Sequence, residues 1–204
     1  NGKVHSTALE DSQYTYDLWT DFQITSGEHI IEVKVTDSSG NVGTAKVPIQ
    51  ITPKATSIGL DISAEELKPN EEFQIDSFLY DQTGELMSGD LYFELYDPKG
   101  KVISEKTVFS SEKLAYQLDQ TATPGEWIVK LSYDESDFVE EKRFTVTQVS
   151  ELDYYIEGEK LYISNIGNIR YLDDIEIAVN SGDSEYVIKR TKNLDVGESF
   201  TIDL

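Results

Sequence analysis

The sequence predicts an all-β fold, an elongated tandem array of antiparallel β-sandwiches. Apolar and polar residues alternate with a period of two in many short segments, and Gly, Pro, Asn and Asp cluster between those segments. Alternation of this kind is typical of half-buried strands, and closely spaced turn residues are typical of sandwiches. The only segments with helical spacing are 64–67 and 110–115, and neither exceeds about two turns.

The middle region, 54–149, has the most complete strand pattern. Its turn phrases lie at 67–73 (LKPNEEF), 96–102 (YDPKGKV) and 123–127 (TPGEW). The phrase DPKG fits a type I turn, which favours Pro at its second position and Gly at its fourth. The alternating segments predict three shared faces, made of Phe73, Ile75, Ser77 and Leu79, of Leu91, Phe93 and Leu95, and of Trp127, Val129, Leu131 and Tyr133. About seven or eight short strands over about 90 residues predict a complete sandwich.

The order of these phrases resembles a macroglobulin-type domain related to fibronectin type III. The resemblance extends over most of residues 57–148 and includes the segment 84–102 (GELMSGDLYFELYDPKGKV). It implies a fold and a spacer role. The thioester of macroglobulins requires cysteine, which this chain lacks, so the resemblance does not imply covalent trapping.

The first region, 1–53, predicts a hairpin. Residues 29–36 and 45–51 alternate, and the turn between them, 37–41, has the Gly and Asn that tight hairpins require. Gly27, His29 and the VTDSSGN phrase resemble the C-terminal half of prokaryotic Ig-like surface repeats. An Ig-like domain has about 100 residues. We therefore expect either that its first strands lie outside this chain or that the fold is a smaller variant.

The last region, 150–204, predicts five further strands. The phrases NIGN at 165–168 and LDVGES at 194–199 resemble a CARDB-like family of archaeal and bacterial sandwiches. Members of that family continue for two more strands, so the resemblance implies that the domain extends past residue 204. The prediction is therefore three modules of Ig-like type, at 1–53, 54–149 and 150–204.

Charge and composition exclude several classes of partner. The net charge of −22 repels nucleic acid and anionic lipid, so we expect neither nucleic-acid binding nor direct membrane contact. No run of about 18 apolar residues predicts a membrane span. The absence of cysteine excludes disulfides and thiolate metal sites.

Catalytic motifs are absent, and we expect no enzyme and no cofactor. The histidines are His5 and His29, and there is no Gly-x-Ser-x-Gly phrase to accompany them as a hydrolytic triad would require. His29 lies at the entry of a predicted strand, where a structural role is expected. His5 lies near the start of the sequence and is expected to be solvated.

A calcium-binding site is the kind of metal site that this sequence leaves open. Loops dense in carboxylates supply the oxygen ligands that Ca²⁺ binds, and Asp134 and Asp137 form the best candidate pair. Asp37 with Asn41 is explained by turn chemistry, and Asp173 with Asp174 is a weaker pair. None of these matches an EF-hand loop.

The aromatic residues leave a glycan-binding role open. Tyr16 and Trp19 are the candidate ligand-binding residues, whereas Trp127 follows a turn in a strongly alternating segment and is expected in the core. Further tyrosines that could contribute to a stacking surface are Tyr14, Tyr154, Tyr155, Tyr162 and Tyr171. Tyr is also an ordinary strand residue.

Together these observations predict a non-catalytic structural or adhesion segment of a larger cell-surface or secreted protein of prokaryotic origin, and they leave an archaeal origin open. We expect it to be extracellular and anchored through regions outside this chain. Its expected partners are other surface proteins or envelope components. Two alternatives remain open: a carbohydrate- or Ca²⁺-binding module, and an accessory region of a secreted hydrolase.

Overall fold

The computed structural model describes residues 6–7, 24–181 and 184–204, with the backbone alone for 179–181 and 184–186. The chain divides into two compact units. One contains the described residues up to Lys54 together with Gln82–Gly84, and the other contains Ala55–Asp81 and Glu85–Leu204. All the regular elements of the described residues are strands, which confirms the all-β prediction. Consistently, no helix in this described part is long and apolar enough to cross a membrane.

The first unit contains the predicted hairpin. Strands β1 (Gly27–Thr36) and β2 (Val42–Ile51) pair antiparallel from Gly27 opposite Ile51 to Thr36 opposite Val42. At the turn, Oδ1 of Asp37 accepts hydrogen bonds from the backbone N–H groups of Ser39 and Asn41, at 2.9 and 2.8 Å. Nδ2 of Asn41 also donates to Oδ2 of Asp37, and this side-chain bond, followed by the backbone bonds, holds the pKa of Asp37 below its usual range.

The apolar face of this hairpin differs from the expectation. Alternation in 29–36 predicts Val33 and Val35 on one half-buried face of β1, yet they are 46% and 49% exposed. The reason is that β1 and β2 are the only strands described in this unit, and no second layer of described residues covers them. Alternation fixes which side chains share a face, but burial requires an opposing layer.

The middle region forms a complete sandwich. Its strands are β3 (Ala55–Ile62), β4 (Glu66–Leu67), β5 (Glu72–Asp81), β6 (Asp90–Tyr96), β7 (Val102–Phe109), β8 (Lys113–Gln117), β9 (Gly125–Tyr133) and β10 (Phe138–Val146). One sheet has the order β4-β10-β9-β6-β7 and the other β3-β5-β8. All neighbours are antiparallel except β4 and β10. The segments with helical spacing, 64–67 and 110–115, are not helical and contribute to β4 and β8.

The core of this sandwich consists of the three faces that alternation grouped. Every residue of these three sets is buried. Trp127 is 3% exposed, and its indole N–H donates to the carbonyl oxygen of Thr123 at 2.8 Å. Its ring lies 6.1 Å from that of Phe144, which also contacts Phe73. A buried indole is stable only with such a partner for its N–H.

Turn chemistry holds the ends of the middle strands. The N–H of Gly100 donates to the carbonyl oxygen of Asp97 at 2.9 Å, as the predicted type I turn requires. The Asp97 carboxylate also accepts from the N–H groups of Lys99 and Lys101. Gly125 has a φ of 128°, and a Cβ there would lie 3.1 Å from Pro98, so two of the predicted turn phrases meet in space.

The last region forms a smaller sandwich. Its strands are β11 (Leu152–Glu157), β12 (Lys160–Asn165), β13 (Asp174–Ser181), β14 (Ser184–Thr191) and β15 (Ser199–Asp203). One sheet has the order β11-β12-β15, and the other contains β13 and β14. The core between them is small: Leu161, Ile163, Ile175 and Leu194 are buried. The described part of the chain is therefore a tandem of antiparallel β-sheet modules.

Candidate functional site

The best-defined polar site is the joint between the middle and last sandwiches. Strand β10 ends at Val146 and β11 begins at Leu152, so residues 147–151 connect the two. The NIGN phrase at 165–168 lies alongside this connector. Asn168 binds both backbone groups of Val149: its N–H donates to the Val149 carbonyl at 3.0 Å, and its Oδ1 accepts from the Val149 N–H at 2.7 Å.

The amide nitrogen of Asn168 reaches into the middle sandwich. Nδ2 donates to the carbonyl oxygen of Thr147 at 2.8 Å and to that of Ala122 at 2.9 Å. Ala122 lies in the loop between β8 and β9 and belongs to the middle core. Asn168 is only 5% exposed. Burial of an amide is costly without hydrogen bonds, and here both N–H groups and the oxygen are bonded.

Gly167 is required because the connector passes too close for any side chain. A Cβ at this position would lie 2.2 Å from the carbonyl oxygen of Val149 and 2.9 Å from the nitrogen of Glu151. Both contacts are to backbone, which cannot rotate away as a flexible side chain could. The N–H groups of Ile166 and Gly167 both donate to the Glu151 carbonyl, at 3.0 and 3.2 Å.

Asn165 ties the same phrase to the interior of the last sandwich. It is 1% exposed, and its Nδ2 donates to the carbonyl oxygens of Leu194 at 3.0 Å and Ile169 at 2.9 Å. Its Oδ1 accepts from the N–H of Gly167 at 3.0 Å. Asn165 therefore fixes the phrase within its own module, while Asn168 fixes that phrase to the preceding module.

The loop that carries Ala122 is itself organised by Asp119. Oδ1 of Asp119 accepts from the hydroxyl and the N–H of Thr121, at 2.5 and 2.7 Å, and these bonds hold the pKa of Asp119 below its usual range. The neighbouring Gln120 donates from Nε2 to the carbonyl oxygen of Ile166 at 3.3 Å. The loop thus makes a second contact with the NIGN phrase.

The chemistry of this joint is positional. It consists of neutral amides and backbone carbonyls, which bind and orient but offer no nucleophile, general base or electrophile. The sequence analysis singled out NIGN through its resemblance to a family of sandwiches, and it missed the partners of Asn168. The available signal was the spacing of two asparagines around a glycine, the residue types that satisfy buried backbone groups at a close approach.

Asp134 and Asp137, the predicted calcium ligands, are exposed residues of the β9–β10 turn. Within the described ranges, no group of three or more His, Cys, Asp or Glu residues is placed to hold a metal ion. Between the pair, Glu135 instead accepts from the hydroxyl of Tyr133 at 2.9 Å and thereby raises the pKa of that phenol. Calcium binding at Asp134 and Asp137 stays a prediction, and a calorimetric titration against the D134N/D137N variant tests it.

Other candidates have structural partners or lie outside the described residues. Asp37 and Asn41 bind each other, with Asn41 Nδ2 donating to Asp37 Oδ2 at 2.8 Å. The Asp174 carboxylate accepts from the hydroxyl of Thr191 at 2.7 Å, and Asp173 is exposed. Nε2 of His29 lies 2.7 Å from the carbonyl oxygen of Thr25, as expected of a structural residue. The candidates outside the described residues are His5, Tyr14, Tyr16 and Trp19, so the glycan prediction stays a prediction.

The tyrosines of the last sandwich have distinct surroundings. Tyr155 and Tyr162 stack with their ring centroids 4.7 Å apart and 4° between planes. They are directly opposite on β11 and β12, so the stack is a cross-strand pair that stabilises the sheet. Tyr171 packs against the small core, and Tyr154 is 70% exposed.

Comparisons with known proteins yield likenesses of fold. No protein-family profile matches the sequence, and no curated protein matches it. Among solved structures, trypsin-activated α2-macroglobulin from Escherichia coli is similar at 12% identity and a TM-score of 0.42, over 78% of this chain and 15% of that one. A Salmonella α2-macroglobulin is similar at 15% identity and a TM-score of 0.39, over 87% and 17%.

A tetra-tandem repeat from the extending region of a large adhesion protein is also similar, at 10% identity and a TM-score of 0.35. That likeness covers 88% of this chain and 48% of the repeat structure. This chain thus spans only a small part of the macroglobulins and about half of the repeat structure. Structures similar to it include macroglobulin domains and tandem repeats of adhesion proteins, while the CARDB-like and archaeal parts of the resemblance stay predictions.

Proposed function

We propose that this chain is a non-catalytic structural segment of a larger cell-surface or secreted protein, in which it holds sandwich modules at a fixed spacing and presents them to partners. One observation carries the proposal: Asn168 binds the connector and the preceding sandwich at once, while Gly167 binds the connector beside it. A segment that only links two independent modules has no need of a buried, fully bonded amide at the junction.

The connector has little freedom left to move. A free linker samples a broad range of distances because its backbone torsions are unrestrained. Here the two backbone groups of Val149 and the carbonyl oxygens of Thr147 and Glu151 are bonded to the NIGN phrase. Thr147 is further held from the other side, since its N–H donates to the carbonyl oxygen of Leu67 at 2.9 Å. A connector bonded on both sides transmits the position of one module to the next.

The partners that we propose are other surface proteins or envelope components. The net charge of −22 disfavours nucleic acid and anionic lipid surfaces. The proposal includes an extracellular location, anchorage through other regions of the protein, a prokaryotic origin, and module boundaries at 53/54 and 149/150. It also includes the absence of a catalytic centre and of a resident cofactor. The retained alternatives are a carbohydrate- or Ca²⁺-binding module and an accessory region of a secreted hydrolase.

Distance measurement between the two sandwiches tests the proposal. The chain has no cysteine, so the K106C/T201C variant can carry one spin label on each sandwich without background labelling. Both positions are exposed. We expect double electron–electron resonance to give one narrow distribution of distances between the two labels, and we expect N168D to broaden that distribution. A broad distribution in the chain with Asn168 intact would overturn the proposal.

The alternatives have separate tests. Calorimetry with Ca²⁺ and a glycan-array screen would detect a binding module, because a pure spacer gives no saturable signal in either. The gene that encodes the whole protein would expose a hydrolase domain directly.

A further inference from the structure

The last sandwich contains an apolar groove of about 550 Å³. Its walls are the inner side chains of β11, with Leu152, Tyr154 and Ile156, and those of β13, with Ile175 and Ile177. Although these side chains point between the two sheets, Tyr154 is 70% exposed and Ile156 is 61% exposed. Large apolar groups at the inner face of a sandwich are normally covered, so this groove has room for an additional layer element.

Two unpaired strand edges border the groove. Among the described strands, β11 bonds only to β12, and β13 bonds only to β14. Residues 174–178 of β13 all line the groove in succession, which happens when the strand edge itself faces it. An unpaired edge presents a row of N–H and C=O groups ready to bind another strand.

The backbone N–H and C=O groups on the free edge of β11 belong to the residues whose side chains face the groove. The β11–β12 hairpin closes through Glu157 opposite Lys160 across a two-residue turn, so Glu157 and Tyr155 direct their backbone groups to β12. The bond from the N–H of Leu204 to the carbonyl of Glu159 fits this alternation. Tyr154 and Ile156 therefore direct their N–H and C=O groups to the free edge, and their side chains to the groove.

Strand β11 lacks three of the features that protect a free edge, and the charges it carries there are the acidic side chains of Asp153 and Glu157. Natural edge strands carry lysine, proline or a bulge that prevents pairing with other chains. The sequence of β11, LDYYIE, has no lysine or proline, and its register with β12 is continuous. Three successive large side chains, Tyr154, Tyr155 and Ile156, are each more than half exposed. An edge of this kind is suited to pairing with a further strand.

Charge indicates what kind of strand fits. Residues 150–204 include twelve acidic and five basic side chains. Several cations there already have local partners: Arg170 pairs with Asp195, Lys189 pairs with Glu176, and Lys192 lies over the ring of Phe200. Among the described residues, Asp153 and Glu157 on the outer face of β11 have no ion-pair partner. A second copy of this chain would bring the same acidic edge, and like charges opposite each other destabilise a strand pair.

We propose that the β11 edge and its groove bind an extended strand of a basic partner protein. Alternate residues of that strand are apolar and fill the groove, and the residues between them are Lys or Arg, which lie opposite Asp153 and Glu157. The strand adds to β11 through the outward backbone groups of Tyr154 and Ile156, the mode known as β-augmentation. This inference deepens the interaction role proposed above and rests on it.

Fluorescence anisotropy with short labelled peptides tests the proposal. The probe alternates Val with Lys. One control peptide has the same composition with its Val and Lys residues grouped, and another alternates Val with Glu. We expect the alternating Val/Lys peptide to bind at least about tenfold more tightly than either control, which corresponds to about 1.4 kcal/mol. Because the grouped control has the same charge, a difference from it reports strand pairing rather than attraction to the acidic chain.

Variants locate the binding. I156D should abolish the preference for the alternating Val/Lys peptide over the grouped one. I103D should leave this preference unchanged, because Ile103 is an exposed residue of β7 in the middle sandwich. D153K/E157K should shift the preference to the Val/Glu peptide. In amide exchange, the N–H groups of Tyr154 and Ile156 should gain protection when the Val/Lys peptide binds.

Four results would overturn the proposal: equal binding of the alternating and grouped peptides, equal effects of I156D and I103D, self-association of the free chain that I156D removes, or loss of peptide binding in a chain extended past residue 204. Self-association would mean that a second copy covers the edge, and loss in the extended chain would mean that the further strands expected after residue 204 cover it. The spacer role is tested by the label distance between positions 106 and 201, which is measured without peptide. A failure of peptide binding can therefore be distinguished from a failure of the spacer role.

Discussion

The Nδ2 atom of Asn168 lies 2.9 Å from the carbonyl oxygen of Ala122, so a side chain of the last sandwich completes a hydrogen bond inside the middle one. The two residues are 46 positions apart in the sequence. The same amide also bonds Thr147 and Val149 in the connector. One residue therefore links both modules and the segment between them.

Replacing Asn168 should destabilise the joint by more than the small size of its side chain suggests, because that side chain makes three hydrogen bonds there. N168D preserves the shape and the acceptor but places an oxygen against the carbonyl oxygens of Thr147 and Ala122, which removes two donors. N168A leaves the Val149 N–H and two carbonyls without partners. We expect each to lower the free energy of unfolding by about 2–4 kcal/mol, measured by urea denaturation. Unchanged urea midpoints for both variants would show that water replaces the amide without cost.

Gly167 should not tolerate alanine. The added Cβ would lie 2.2 Å from the Val149 carbonyl oxygen, so G167A must displace backbone. We expect a fall in thermal stability and a broader label distance between positions 106 and 201. G43A is the matched control, since a Cβ there has no atom within 4 Å and no φ constraint. The two variants behaving alike would contradict this account of the close approach.

Trp127 should be the most sensitive position of the middle core. W127A removes a large buried ring beside Phe144 and should lower the free energy of unfolding by about 3–5 kcal/mol. W127F preserves a ring but abolishes the bond to the Thr123 carbonyl, and it should cost less. Denaturant unfolding followed by circular dichroism measures both. A W127F variant as unstable as W127A would indicate that the hydrogen bond, rather than the packing, dominates.

The hydroxyl of Tyr96 should lose its proton at a higher pH than an ordinary tyrosine does. Its hydroxyl donates to Oε1 of Glu94 at 2.7 Å, and this bond, more than burial, raises the pKa of Tyr96 to about 12. The bond also holds the pKa of Glu94 below its usual range, with a further contribution from Lys130. Because the folded pKa of Tyr96 lies above its unfolded value, its contribution to stability is complete below pH about 10 and is lost as pH rises towards 12.

The Glu94 contribution has the opposite sign. Its depressed pKa means that the contribution is present above the unfolded pKa and is lost as pH falls through the folded value. NMR titration with ring-labelled tyrosine should place Tyr96 highest among those whose resonances can be assigned, and E94Q should lower its pKa towards 10. A Tyr96 titration that E94Q leaves in place would show that burial alone causes the shift.

The middle sandwich could be predicted closely from sequence. Alternation grouped Phe73 with Leu79 and gave Phe93 a face of its own strand, Trp127 was expected in the core, and all four are buried. The first hairpin was predicted in position, yet Val33 and Val35 remain about half exposed. The joint was not predicted at all. The motif was visible, but its partners were not.

The difference has a physical reason. Strand periodicity and turn chemistry depend on residues a few positions apart, so the sequence by itself determined the all-β class, most strand positions and the Asp37 and Asp97 turns. The bonds of Asn168, the close approach at Gly167 and the free edge of β11 depend on segments distant in the chain. Only the tertiary structure decided those, because a hydrogen bond or a groove forms where packing brings backbone together, and no local pattern records which distant backbone that is.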